Sequence, residues 1–253
     1  MAGRDSLLKL NDKTVAIVGA FNTMTQMILT HLSEQGADVA LVGKESPEAR
    51  RYVEHLNDQR EIYPHYGRAG VINTELSNDK EAADLVGRVV HSFGRLDTLV
   101  DTLPLVRTDL TLSESLAQES LKFLTSRPRS RLMWLSPHPA LEPAPETAKT
   151  LSRWRQYYST EYISKNLTAN ELVIGVSDEF LLRKSPKSPS IKMTFEELKK
   201  TTPKARMLDP SELAAWVMFL SSPLSQAVNG QQLFIDHGLS MAEAGRQRSG
   251  CAG

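Results

Sequence analysis

The stretch Val15-Ala-Ile-Val-Gly-Ala-Phe-Asn-Thr-Met-Thr25 sets an apolar run, Val15 to Val18, ahead of a helical pattern in Met24, Ile28, Leu29 and Leu32. A strand that enters a helix through a short turn points backbone N–H groups and the positive end of the helix dipole at an anion. A pyrophosphate is the group such a unit seats, and three glycines ordinarily let it approach the backbone. Here only Gly19 is present, and Thr23 and Thr25 stand at the two later glycine positions, where their side chains intrude. Gly19, Asn22, Thr23 and Thr25 are therefore candidate phosphate contacts on an impaired loop. Lys44, just past the second apolar run, is either a reader of a 2′-phosphate or a solvated loop lysine. Glu75 stands roughly where an acid would contact adenine.

These residues need a sheet to position them. Apolar runs near 14–19, 38–42, 70–74, 97–102, 131–136, 171–176 and 232–236 read as strands. Amphipathic segments near 23–35, 47–57, 79–93, 113–125, 144–166, 194–200 and 210–221 read as helices. Their alternation predicts a single α/β domain built on a doubly wound parallel sheet. Ser46-Pro47, Asn78 or Asp79, and Asp209-Pro-Ser-Glu212 supply plausible helix starts. Ser185–Ser190 and Ala140–Pro145 read as Pro-rich connections, and residues 1–10 and 243–253 as loose ends.

Composition narrows the function classes. The 253 residues carry 30 Lys plus Arg against 30 Asp plus Glu, scattered rather than patched, which argues against a nucleic-acid surface. The single cysteine, Cys251, excludes an internal disulfide framework and fits a reducing compartment. The six histidines show no metal-ligand spacing. No run approaches the ~20 apolar residues of a membrane span, and the N-terminus lacks a signal-peptide core, so a cytoplasmic location is expected.

Two further stretches carry a family resemblance. Gly87-Arg-Val-Val-His-Ser-Phe-Gly-Arg-Leu-Asp-Thr-Leu-Val100 resembles the helix-to-strand passage of short-chain dehydrogenases/reductases. The stretch from Asp209-Pro-Ser-Glu-Leu-Ala214 through Phe219-Leu-Ser-Ser222 to Asn229-Gly-Gln-Gln-Leu-Phe-Ile-Asp-His-Gly238 is similar to that family's closing helix and last strand. The resemblance covers most of residues 12–241 and implies a Rossmann-like fold. It also implies a Tyr-Lys-Ser group that moves a proton while NAD(P)H moves a hydride. The tyrosinate acts as acid/base, the lysine lowers its pKa four residues on, and the serine orients the carbonyl.

Ser136, ending Arg131-Leu-Met-Trp-Leu-Ser136, is the serine candidate or a strand-end hydroxyl in a local turn. Counting back from the strand at Leu172 sets Lys149 at the lysine position and Pro145, which has no ionisable group, at the tyrosine position. Counting forward from Ser136 instead sets Lys149 at the tyrosine position and Arg153 at the lysine position. A competing register uses Tyr158 and Lys165, the Tyr-x6-Lys spacing of the enoyl-reductase branch, for which Gly19…Thr25 is a near match. Against the family pattern, Asp101-Thr-Leu-Pro104 replaces Asn-Asn-Ala-Gly and sets a negative charge where a cofactor would lie. Pro104 to Arg131 is several helical turns short, and Asp178-Glu179 replaces the usual Pro-Gly.

The sequence therefore points to a degenerate member of that family with no catalytic residue in service. Ser136, Lys149 and Arg153 are vestigial, no cofactor is expected, and NADP(H) is the one implied if any. Such a chain would act in binding or assembly, as a homodimer, a higher oligomer or with a protein partner. Helix 144–166, with Trp154, Tyr157, Tyr158, Tyr162, Arg153 and Arg155, is the candidate interface, although Trp154, Tyr158 and Tyr162 also read as a core stripe. The alternatives are an NADPH-dependent oxidoreductase of enoyl-reductase type using Tyr158 and Lys165, and a nucleotide-binding regulator without turnover.

Overall fold

The computed structural model describes residues 8–139, 141, 145–177 and 206–242. Seven parallel strands form one sheet: β1 (Thr14–Val18), β2 (Asp38–Gly43), β3 (Ala69–Asn73), β4 (Thr98–Asp101), β5 (Ser130–Pro137), β6 (Leu167–Ile174) and β7 (Gln232–Ile235). The spatial order is β3-β2-β1-β4-β5-β6-β7. The order reverses between β1 and β4, and beyond the C-terminal ends of the strands there such sheets open a crevice.

Helices cover both faces: α1 (Thr23–Glu34), α2 (Pro47–Ile62), α3 (Ala82–Phe93), α4 (Thr111–Leu124), α5 (Pro145–Glu161) and α6 (Pro210–Ser221). One core layer joins Ile17, Leu41, Met133 and Leu172 to Ile28 and Leu29 of α1 and to Leu213 and Val217 of α6. The opposite layer joins Val18, Leu99 and Trp134 to Val86 of α3, Leu116 of α4 and Leu151, Trp154 and Tyr158 of α5. Strands buried on both faces read as unbroken apolar runs rather than alternating ones, which is why the runs were legible.

Helix starts follow their capping residues. Asn22 Oδ1 accepts from Thr25 N–H at 2.8 Å while Thr25 Oγ1 accepts from Asn22 N–H at 2.9 Å, closing a reciprocal capping box on α1. Ser46 caps α2 ahead of Pro47, and Asp209 with Glu212 boxes α6 behind Pro210. Gly94 ends α3 in the left-handed region at φ 81°.

Several elements differ from the sequence reading, among them the segment 79–93, which divides into a 3₁₀ turn over Asp79–Glu81 and α3. α2 runs on to Ile62, where good helix formers prolong it, and Asn57 is tied to the backbone of Ala69. β6 starts at Leu167, four residues earlier than its apolar run, because Thr168, Asn170 and Glu171 are polar yet buried. Asn170 offsets the cost of that burial by bonding Val228 O and Gln231 N–H. The segment 144–166 resolves into α5 and a short 3₁₀ turn (Ile163–Lys165), ended by Asn166 at φ 57°. The helix expected at 194–200, the loop 185–190, Asp178-Glu179 and Cys251 lie outside the described residues.

Candidate functional site

At the crevice end of β1 the chain passes within contact of two neighbours. Gly19 has φ 149°, and a Cβ there would lie 1.9 Å from Thr102 Oγ1. Thr102 holds that position by donating both its hydroxyl, at 2.8 Å, and its N–H, at 3.0 Å, to Val18 O. The glycine is thus required by packing against β4, whatever its relation to a phosphate. The capping box has already engaged the N–H groups of Asn22 and Thr25, and Thr25 is 1% exposed with its hydroxyl turned inward. Thr23 is exposed at the helix start. Lys44 and Glu75, the two candidate nucleotide contacts, are exposed and pair with each other at 3.2 Å.

Asp101 differs from expectation. Rather than setting a charge in the crevice, its side chain is 1% exposed, with Oδ1 accepting from Leu103 N–H at 2.9 Å. Burial pushes its pKa up to about 6, opposed by Ser113, the Leu103 N–H and Arg107.

Ser136 opens onto a cavity of about 230 Å³ between α5 and the β5–β6–β7 part of the sheet. Its hydroxyl donates to Glu171 Oε1 at 2.6 Å. The other carboxylate oxygen accepts from Gln232 Nε2 at 3.1 Å and pairs with Arg155 Nε at 3.0 Å. Arg155 comes from α5, Glu171 from β6 and Gln232 from β7, so three elements meet at the carboxylate that holds the serine. Burial raises the Glu171 pKa, while Ser136, Arg155 and Gln232 hold it back. Sequence reasoning named neither Glu171 nor Gln232. The signal available was a lone acid inside an apolar strand, which requires a partner.

Pro145 lines this cavity with Ser136, while Lys149 does not. Lys149 lies on the solvent face of α5, paired with Glu146 at 2.7 Å. Arg153 is exposed one turn further, bonded to Thr150. From α5 the cavity is lined by Pro145, Thr147, Ala148 and Leu151, so neither counting brings Lys149 to Ser136.

Tyr158 and Lys165 do not reach Ser136 either. Tyr158 is 2% exposed and packs on Trp134 with ring centroids 5.8 Å apart. Burial raises its phenol pKa, and Glu114 adds to the rise. Lys165 is exposed just ahead of Leu167, which pairs with Ser130 at the start of β5. Six residues of strand, about 20 Å at ~3.3 Å each, separate that row from Ser136.

The α5 aromatics divide: Trp154 and Tyr158 belong to the core, whereas Tyr157 is 52% exposed. Among the described residues no group of three or more His, Cys, Asp or Glu side chains is placed to hold a metal. No described helix is long and apolar enough to cross a membrane.

The sequence profile described as short chain dehydrogenase matches residues 13–119, and that described as enoyl-(acyl carrier protein) reductase matches residues 147–240. The chain belongs to the short-chain dehydrogenase/reductase family. It is similar to the uncharacterized oxidoreductase YvaG of Bacillus subtilis (strain 168), 23% identical over 265 residues that cover 92% of this chain and 97% of that one. An uncharacterized oxidoreductase of Mycobacterium tuberculosis, MT0954, is 22% identical over 92% of this chain and 94% of its own. Among solved structures, a short-chain dehydrogenase from Burkholderia cenocepacia J2315 in complex with NADP superposes with a TM-score of 0.76. It is 20% identical and covers 92% of this chain and 99% of its own. The Serratia marcescens BCRC 10948 short-chain dehydrogenase/reductase gives 0.74 at 19% identity, over 91% and 99% of the two chains. These structures share the fold.

Proposed function

We propose that this short-chain dehydrogenase/reductase does not carry out hydride transfer and serves instead as a binding or assembly protein. One observation carries the reading: no phenol faces Ser136. The chain has six tyrosines, Tyr52, Tyr63, Tyr66, Tyr157, Tyr158 and Tyr162, all at described positions, and none lines the Ser136 cavity. A hydride acceptor in this family needs a proton delivered to the reacting oxygen, and none of the α5 residues lining the cavity, Pro145, Thr147, Ala148 and Leu151, carries a phenol to give it.

The cofactor end supports the same reading. A pyrophosphate on a helix N-terminus needs unspent N–H groups, and Asn22 and Thr25 already satisfy two of them. Lys44 pairs with Glu75 on the surface, so a 2′-phosphate there would meet that carboxylate as well as the lysine. On these grounds the residues of the Gly19 loop do not fit a dinucleotide.

Calorimetric titration with NADP(H) and NAD(H) tests the proposal. The expected result is no binding heat and no NADPH oxidation with ketone or enoyl substrates; saturable binding with turnover overturns it. A second reading, an NADP(H)-dependent oxidoreductase, draws on family membership and on the NADP in the Burkholderia structure. Its proton donor would have to be a group other than tyrosine. For assembly, the solvent face of α5 with Arg153 and Tyr157 is the proposed self-association surface. Light scattering on the Tyr157→Glu variant tests it, with loss of the oligomer expected and an unchanged mass refuting it.

A further inference from the structure

The hydrogen-bond polarity of the Ser136 cavity is set by Glu171, and it is the reverse of what a carbonyl substrate needs. A serine hydroxyl has one proton, and that of Ser136 is given to Glu171 Oε1 at 2.6 Å. What the serine offers the cavity is its lone pairs. Gln232 turns its amide nitrogen to Glu171 Oε2, which leaves its carbonyl oxygen as its open acceptor. Backbone donors are missing from much of the wall, since Pro137, Pro139 and Pro145 have no N–H. The Glu171 charge is met by Arg155 at 3.0 Å, so among the described residues the lining holds no unbalanced charge to attract a cation. Thr147, the other hydroxyl among the described lining residues, can donate as well as accept. Ala148, Leu151 and Val173 make the rest apolar.

We propose that this cavity binds compact, uncharged, mainly apolar molecules through a hydroxyl that donates to Ser136 Oγ, and that it rejects carbonyl compounds of the same shape. An alcohol oxygen can give its proton to Ser136 and accept from Thr147. A ketone in the same place can accept from Thr147 but has no proton for Ser136, whose lone pairs are left desolvated and unpaired. The inference rests on the reading of the cavity as a binding site rather than a reducing one.

Cyclohexanol and cyclohexanone, one ring with the two oxygen types, are the test pair, titrated by calorimetry against the full chain without nucleotide. The expected result is cyclohexanol binding at least fivefold tighter than cyclohexanone, with Ser136→Ala reducing the ratio to about one. The Glu171→Gln variant gives a sharper readout. Arg155 and Gln232 hold the acceptor oxygen on their side, so the new amide turns its NH₂ toward Ser136. The serine must then accept that bond, its proton swings into the cavity, and the preference inverts to cyclohexanone. A wild-type chain that binds the ketone as well as the alcohol, or binds neither, overturns the proposal. So does an unchanged preference in Glu171→Gln. NADPH oxidation by cyclohexanone, measured separately, refutes the non-reducing reading and leaves the affinity ratio to be judged on its own.

Discussion

Breaking the Arg155–Glu171 pair by Arg155→Met is the perturbation with the most to reveal. The Glu171 side chain is 2% exposed and that of Arg155 12%, so water cannot replace the lost partner without rearrangement. Removing one member of a buried pair costs about 3–5 kcal/mol, because the remaining charge is stranded. Arg155 also donates to Gly230 O at 3.2 Å, a bond methionine cannot make, which places the loss toward the upper end. The cost must depend on pH. Burial already raises the folded pKa of Glu171 above its ordinary value, and loss of the guanidinium raises it further. A carboxyl raised on folding favours the folded state below its unfolded pKa and loses that contribution as pH rises through the folded value. Urea unfolding followed by far-UV circular dichroism should therefore show the full loss at pH 8 and a smaller one at pH 5. The Arg155→Met/Glu171→Gln double variant should recover most of it, giving a coupling of a few kcal/mol. A loss under about 1 kcal/mol at pH 8, or a double variant no better than Arg155→Met alone, refutes the assignment of a buried ionised pair.

Three other outcomes follow from named contacts. Asp101 has a folded pKa of about 6 against 3.8, so its contribution is present below 3.8 and lost as pH rises through 6. At 1.36 kcal/mol per unit that loss is about 3 kcal/mol, and Asp101→Asn should remove it from the pH profile of stability; an unchanged profile assigns the titration elsewhere. Gly19→Ala drives a methyl into Thr102 at a strained φ and should cost about 2–4 kcal/mol in chemical denaturation. Gly87, inside α3, should behave oppositely, because a methyl on its Cα would meet open space: Gly87→Ala is expected to add about 0.5–1 kcal/mol by the same measurement.

What could be read from the chain was what is local. The start of α6 at Pro210 follows from Asp209-Pro210-Ser-Glu212, whose capping residues lie within four positions of each other. Pro145 announced the start of α5 by the same kind of signal. The site was less legible, because its defining contacts join distant residues. Ser136 meets Glu171 across 35 positions, and Glu171 meets Gln232 across 61. Neither leaves a periodic trace in the sequence. The polar residues that begin β6 hid its first few positions for a related reason: their partners, such as Val228 and Gln231, come from a later loop. Asp101 was placed correctly along the chain and wrongly in depth, since burial beneath α4 is a property of the packed layers.

The three tryptophans divide by environment in a way that equips the chain with its own optical probe. Trp134 and Trp154 are shielded and lie with ring centroids 5.8 Å apart, whereas Trp216 is 39% exposed on α6. Trp134 sits on the same strand face as Ser136, two residues away. Replacing Trp216 by phenylalanine leaves emission from the shielded couple alone, so occupancy beneath α5 can be followed by its intensity and wavelength without attaching any dye.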